Sequence, residues 1–481
     1  MKVTRVAAVA ALVLLAHAPV ARAYDPATTH AGLTERAALA SQLHRVLARA
    51  LSRPLGLFEP VALSLDDLPQ AQAESLEARL GALDPSAGAS PGPDGVAPAL
   101  AWVIAGSVIA STPAERGQYT FYDPARGSGL SNSGGVASLG NTLGLLVDAG
   151  GFRGLFTGTL FNMTGRPSTE WLRAPENDVG LDAFHAGLEA SIAGDRPQRR
   201  ATALARALLA LGGVLTVLED AGEPAHVRND FRQSYLASRG PSPFDRGSPF
   251  ERFVSEAYGR MGVPTAVTPV RRPTVMAFIT AADGQGLADR TQRRFFSDGS
   301  LPDDTVVDRG TTGVEVMQDA RGSLPYAYPR LPRLELKVMG KKYYARTKDK
   351  RRLLAYVRVP GRVRFFLDEA VYADTARALL PEIAGYGAGL IDHLFRAEIR
   401  FDITGGDALV SVVGAAGNIR KGEIRVFAED ASGLRRALTT VQPGSAGVRI
   451  TVPAGTKKLA AVLRGEDDAG DFVAVGEAPV K

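Results

Sequence analysis

Residues 203–230 read ALARALLALGGVLTVLEDAGEPAHVRND. As far as Leu218 the segment is apolar on nearly every face, and a helix without a polar side is buried, here at the centre of a helical bundle. It closes on Glu219-Asp220, after which Pro224 pushes Glu223 out of helical conformation. A carboxylate at the end of a buried helix is costly unless a cation or hydrogen-bond donors compensate it. His226 follows a proline-fixed turn that can swing it back toward the helix end, and carboxylate plus imidazole suit a divalent metal such as zinc. The plainer alternative is an Asp capped by backbone and a His satisfied within its turn.

On either side of this stretch the chain reads as mainly helical. Leu33, Ala37, Leu43, Val46 and Leu47 recur at helical spacing and predict one amphipathic helix from Thr29 to about Leu51. A buried helix is expected over residues 99–109, an amphipathic one opening at Ser248-Pro249, and another from about Asp368 to Phe395. Ser248-Pro249-Phe250-Glu251 is a capping box, which explains Glu251 without any metal. Residues 83–98 and 127–135 are rich in Gly, Ser and Pro and read as loops.

Beyond residue 397 the period changes. Ile399, Phe401 and Ile403 alternate with Arg400, Asp402 and Thr404, the pattern of a half-buried strand. Similar short runs separated by turn clusters follow to the end of the chain, predicting an all-β immunoglobulin-like sandwich over 397–481.

At the N-terminus, Lys2 and Arg5 precede an apolar run from Val6 to Ala16, and Ala21-Arg22-Ala23 has the small-x-small form of a cleavage site. Residues 1–23 therefore read as a secretory signal peptide, implying a periplasmic or extracellular protein whose first mature residue is Tyr24. The run is too short for a transmembrane span, and none is expected later. Three of the 56 basic residues leave with the leader, so 53 face 51 acidic ones and the mature chain is close to neutral. A sequence pI near 9.3 is thus no sign of a protein that coats nucleic acid. The absence of cysteine rules out disulfides, thiolate metal sites and Cys nucleophiles.

LGGVLTVLEDAGEPAHVRND (211–230) resembles the signature helix of the zinc-dependent phospholipase C superfamily, which also contains the three-zinc single-strand nucleases. Further matches follow in order: TTHAGLTERA (28–37), WVIAGSVIASTPAERGQYTFYDP (102–124), SPFERFV (248–254) and GYGAGLIDHLFR (385–396). The resemblance covers residues 24–396 and implies a helical phosphoric-ester hydrolase fold. It also implies a metal site drawing on the free amine and carbonyl of Tyr24 and on His30, Asp220, His226 and Glu251.

Four of the nine metal-site positions that the resemblance implies are substituted: Ser111 stands for an Asp, and Thr120, Thr216 and Gly247 stand for His. One family metal uses the Tyr24, His30 and Asp220 positions, all retained; a second has lost both histidines; a third keeps His226 and Glu251 alone. Catalytic zinc usually needs three protein ligands plus water. The expectation is a non-catalytic or weakly active relative with at most one zinc, acting as a binding or envelope-associated protein. The alternative is an active phosphodiesterase with a rearranged metal set that recruits Glu115, Asp123, Glu219 or Asp230.

A basic insertion at about 334–364 contains Lys341, Lys342, Arg346, Lys348, Lys350, Arg351 and Arg352, interleaved with Tyr343, Tyr344 and Tyr356. Such mixtures suit an anionic lipid, a phosphodiester or an envelope polymer, against the plainer reading of a solvated hairpin face. Gly385-x-Gly387-x-Gly389 lies inside a helical pattern and reads as close packing, so no nucleotide cofactor is expected.

Overall fold

The computed structural model describes residues 26–83, 95–131, 164–231, 247–261, 267–301, 305–306, 337–339, 342–359, 362–444 and 446–480. The expected signal peptide and Tyr24 lie outside them. Eight helices carry the argument: α1 (Ala31–Ala40), α2 (Leu43–Arg49), α3 (Ala99–Ala110), α4 (Leu181–Ala193), α5 (Pro197–Asp220), α6 (Pro249–Ala257), α7 (Leu287–Arg294) and α8 (Glu369–Leu394).

Helix α5 runs through the middle of the bundle, buried continuously from Ala207 to Asp220, and packs on α3, α4 and α8. Among the described residues it is the one helix long and apolar enough to cross a membrane. Two glycines set its approach to α3. A Cβ on Gly106 would come within 2.0 Å of Leu209 O, and one on Gly212 within 2.1 Å of Val103 O. The two backbones therefore touch, which fixes where the end of α5 delivers Glu219 and Asp220.

The expected single helix over Thr29–Leu51 is broken in two. Ser41 is extended, its Oγ donates to Ala38 O at 2.8 Å, and Leu43 N donates to the same Oγ at 3.1 Å. A serine side chain thus ends α1 and starts α2, as short polar side chains do where they compete with the helical backbone. Helix α6 carries the expected capping box, with Ser248 Oγ accepting from Glu251 N at 3.1 Å and Glu251 Oε2 accepting from Ser248 N. In α8 the glycines serve close packing as expected. A Cβ on Gly389 would meet Val270 O at 1.7 Å, and one on Gly387 would meet Ala37 Cβ at 2.9 Å.

The region before residue 397 also contains a five-stranded antiparallel sheet. Its strands are β1 (Thr305–Val306), β2 (Lys337–Met339), β3 (Lys342–Arg346), β4 (Arg352–Val359) and β5 (Arg362–Phe366), in the order β1-β5-β4-β3-β2. The basic insertion is therefore the centre of a sheet, and its buried side has a small core of Phe296, Ala345, Leu354, Tyr356 and Phe365.

The C-terminal region is all β. Strands β6 (Glu398–Thr404), β7 (Asp407–Val413), β8 (Ile424–Glu429), β9 (Arg435–Val441), β10 (Val448–Thr451), β11 (Lys458–Asp467) and β12 (Gly470–Pro479) form one hydrogen-bonded order, β9-β8-β11-β12-β6-β7-β10. All neighbours are antiparallel except β12 and β6. Both faces of the central strands are covered. Leu459, Ala461 and Leu463 join Val426 and Phe472 in the sheet's own core, whereas Ala460, Val462, Phe427 and Val473 belong to the core of the helical bundle. Two covered faces account for the unbroken apolar run at residues 459–463, where a one-sided strand would alternate.

Candidate functional site

The end of α5, the turn after it, the start of α6 and the start of α1 converge on one buried pocket of polar side chains. His30, Asp220, His226 and Glu251, which the resemblance groups, all lie there, between 0% and 2% exposed. Glu219 and Glu223 complete it, equally buried.

The contacts form a chain. His30 Nδ1 is 2.5 Å from Glu219 Oε2, and Thr34 Oγ1 donates to Glu219 Oε1 at 2.8 Å. His30 Nε2 faces Asp220 Oδ1 at 3.7 Å, and His226 Nδ1 approaches that same oxygen at 3.4 Å. On the other side of its ring, His226 Nε2 is 3.3 Å from Glu251 Oε1. Glu223 braces the turn: its Oε2 accepts from His226 N at 2.7 Å, and Ser248 Oγ donates to its Oε1 at 2.7 Å.

Glu251 thus serves both readings made of it. Oε2 closes the capping box of α6 while Oε1 faces the imidazole.

Electrostatics follow from four carboxyl groups around two imidazoles in a water-poor interior. Burial disfavours a charged His226, yet Glu251, Asp220 and Glu223 outweigh it and hold the ring up to about 10. His30 is likewise raised, with burial opposed by Glu219, Asp220 and Glu251. Burial and the neighbouring Glu251 push Glu223 up to about 8, and burial raises Glu219. Each imidazole is bracketed by carboxylates on both ring nitrogens, the environment of an imidazolium or of a metal-bound ring.

The substituted positions lie next to this chain. Ser111, Thr120, Thr216 and Asp220 line a cavity of about 20 Å³, together with Arg116 and Trp171. Thr216 Oγ1 donates to Ser107 O at 3.1 Å, or to Gly212 O at 3.2 Å. Thr120 Oγ1 donates to Gly117 O at 2.9 Å and stands 3.5 Å from His226 Nε2. Gly247 has φ +62°, and a Cβ on it would come within 2.6 Å of Glu251 Oε2. The glutamate occupies the space that a side chain at residue 247 would need.

Asp220 Oδ1 and His226 Nδ1 are buried and make no hydrogen bond, and His30 Nε2 points at the same oxygen. Ligands about 2.0–2.1 Å from a tetrahedral ion lie roughly 3.3–3.4 Å apart, close to the spacing of these atoms. A carboxylate on the far nitrogen of His30 is the arrangement that orients a metal-bound imidazole. The spacings to Asp220 Oδ1, 3.4 Å from His226 and 3.7 Å from His30, are compatible with a single ion there. Among the described residues, however, no three His or acidic side chains are already splayed as a ligand group.

Of the spare donors Asp123, Glu219 and Asp230, Glu219 alone reaches the pocket; the side chain of Glu115 lies outside the described residues. Asp123 accepts from Gln292 Nε2 at 2.7 Å and from Arg126, and Asp230 accepts from Gly299 N at 2.6 Å. Nothing local in the sequence marks Glu223 as part of the pocket; its burial at the proline turn is visible only in three dimensions.

The basic insertion is less free than its composition suggests. Arg352 forms a fork with Asp374 at 2.8 and 2.9 Å, Lys342 Nζ is 2.6 Å from Asp368, and Arg351 lies over the Phe295 ring at 4.4 Å. Arg346 is half-buried, Lys348 and Lys350 are exposed at the hairpin turn, and Lys341 lies outside the described residues.

Compared with family models, curated proteins and solved structures, the chain finds no match.

Proposed function

We propose that this chain is a secreted relative of the zinc-dependent phospholipase C and single-strand nuclease superfamily whose metal site has eroded. In this reading it retains at most one zinc, held by Tyr24, His30 and Asp220 with His226 at hand. It serves as a binding or envelope-associated protein, and the C-terminal strands form an immunoglobulin-like sandwich. Superfamily hydrolysis of phosphate esters relies on a hydroxide generated between closely spaced ions.

One observation carries the proposal. The space beside Asp220, bordered by Ser111, Thr120 and Thr216, measures about 20 Å³. That is room for a single water molecule and not for a phosphate ester. The threonine hydroxyls there donate to backbone carbonyls, so they satisfy the scaffold. Bis-p-nitrophenyl phosphate and phosphatidylcholine turnover, with Asp220→Asn as control, tests the reading. No turnover above that of Asp220→Asn is expected. Activity abolished by the substitution would establish a metal-dependent phosphodiesterase instead.

A further inference from the structure

A second feature shares no residue with that pocket. A cleft of about 1200 Å³ opens where α2, residues 268–272 and the end of α8 meet the start of β6 and the end of β7. Six arginines line it, Arg45, Arg49, Arg271, Arg272, Arg396 and Arg400, against the carboxylates of Asp392 and Glu398.

Half of these cations are already matched. Arg272 Nη2 reaches both oxygens of Asp283 at 2.8 Å, Arg396 forms a fork with Asp467 at 2.8 and 3.0 Å, and Arg400 Nε donates to Glu398 at 2.6 Å. The others are not. Among the described residues Arg45, Arg49 and Arg271 make no ion pair; Arg45 donates only to the Gln42 amide oxygen. Asp392, the nearby acid, accepts from Gln42 N at 2.6 Å, which ties α2 to the end of α8.

The backbone holds these guanidinium groups together. Arg45 and Arg49 are one helical turn apart on α2, so they share a face. Residues 268–270 lie directly on α8, with Val270 N donating to Gly385 O at 2.9 Å and Val270 O against Gly389, and this anchors Arg271 at the cleft. Val46, Val270 and Phe395 supply apolar wall, which strengthens any charge interaction inside. Six guanidinium groups face four carboxylates, Asp283, Asp392, Glu398 and Asp467, and an anion relieves the excess positive charge. The guanidinium fork matches phosphate geometry.

We propose that this cleft binds a phosphate-bearing ligand carrying two or more negative charges, either a soluble compound or a lipid headgroup. The site stands apart from the buried histidines and does not depend on the superfamily reading.

Titration calorimetry with inorganic pyrophosphate, and co-sedimentation with phosphatidylglycerol against phosphatidylcholine vesicles, test it on the whole chain. Pyrophosphate binding should weaken about tenfold or more in Arg45→Gln/Arg49→Gln/Arg271→Gln and should fall with salt. It should persist in Lys348→Gln/Lys350→Gln and in Asp220→Asn. The three arginines are exposed, so the triple variant should keep the wild-type unfolding midpoint. Co-sedimentation with phosphatidylglycerol that the triple variant loses assigns a lipid; pyrophosphate binding without it assigns a soluble ligand. Equal affinity in wild type and triple variant, or no binding of either probe by the wild type, overturns the proposal.

Discussion

Glu251 Oε1 lies 3.3 Å from His226 Nε2, while the other oxygen of the same carboxylate accepts the Ser248 N–H that starts α6. One side chain therefore ties a helix start to a buried imidazole. Glu251→Gln keeps a cap acceptor and removes the charge; Glu251→Ala removes both. Breaking a buried pair costs about 3–5 kcal/mol and a lost cap about 1 kcal/mol. In urea unfolding the Ala variant should be the less stable of the two, and both should fall below wild type.

Helix contact at Gly212 sets the position of Asp220. Gly212→Ala places a methyl within 2.1 Å of Val103 O, a backbone atom that moves only with α3. Overpacking of this kind costs roughly 1–3 kcal/mol. A thermal midpoint lowered by several degrees is expected; an unchanged one would mean that the two helices do not meet so closely.

Two other histidines make stability depend on pH. Burial, with Arg464 and Arg173 against Asp471, lowers His185 to about 4, and burial with Arg396 lowers His393 to about 4. A histidine lowered on folding stays neutral in the native state while the unfolded chain protonates near 6.5. Its contribution is complete above pH 6.5, is lost progressively as pH falls toward 4, and levels off below that. About 1.4 kcal/mol per unit puts each at roughly 3 kcal/mol. Buried carboxyls such as Glu223, raised to about 8, act in the opposite sense, so the difference between variants carries the sign: between pH 7 and 4.5 His185→Leu should gain urea resistance relative to wild type.

The β region is fastened to the bundle by Arg435, which donates to Ile192 O at 2.9 Å and to Glu429 at 2.7 Å, and also pairs with Glu477. Arg200 shares Glu429 at 3.1 Å. Arg435→Ala strands carboxylates at a covered interface, and a loss of about 3 kcal/mol is expected in chemical unfolding.

How far the fold could be read depended on whether its cause was local. Helix α5 was legible because an apolar surface on all sides has one physical outcome, and the α6 cap because Ser248, Pro249 and Glu251 lie within a single turn. The strands after residue 397 announced themselves by alternation, although burial on both faces hid the period at residues 459–463. The break at Ser41 was missed because apolar spacing continues across it.

Within the pocket, His30, Asp220, His226 and Glu251 converge as grouped from sequence. The Glu219 contact to His30 joins residues 189 positions apart, and no local pattern encodes it. The pairing of Arg352 with Asp374 likewise depends on how the sheet docks on α8, so the basic run looked freer than it is.

In the proposed function, the pocket around Asp220 has too few nitrogen donors to hold a pair of water-activating ions. Counting zinc per chain by mass spectrometry, after loading protein with a processed N-terminus and removing unbound metal, tests it most directly. One ion or none is expected, with the Asp220→Asn variant empty. Two or three ions per chain would contradict it.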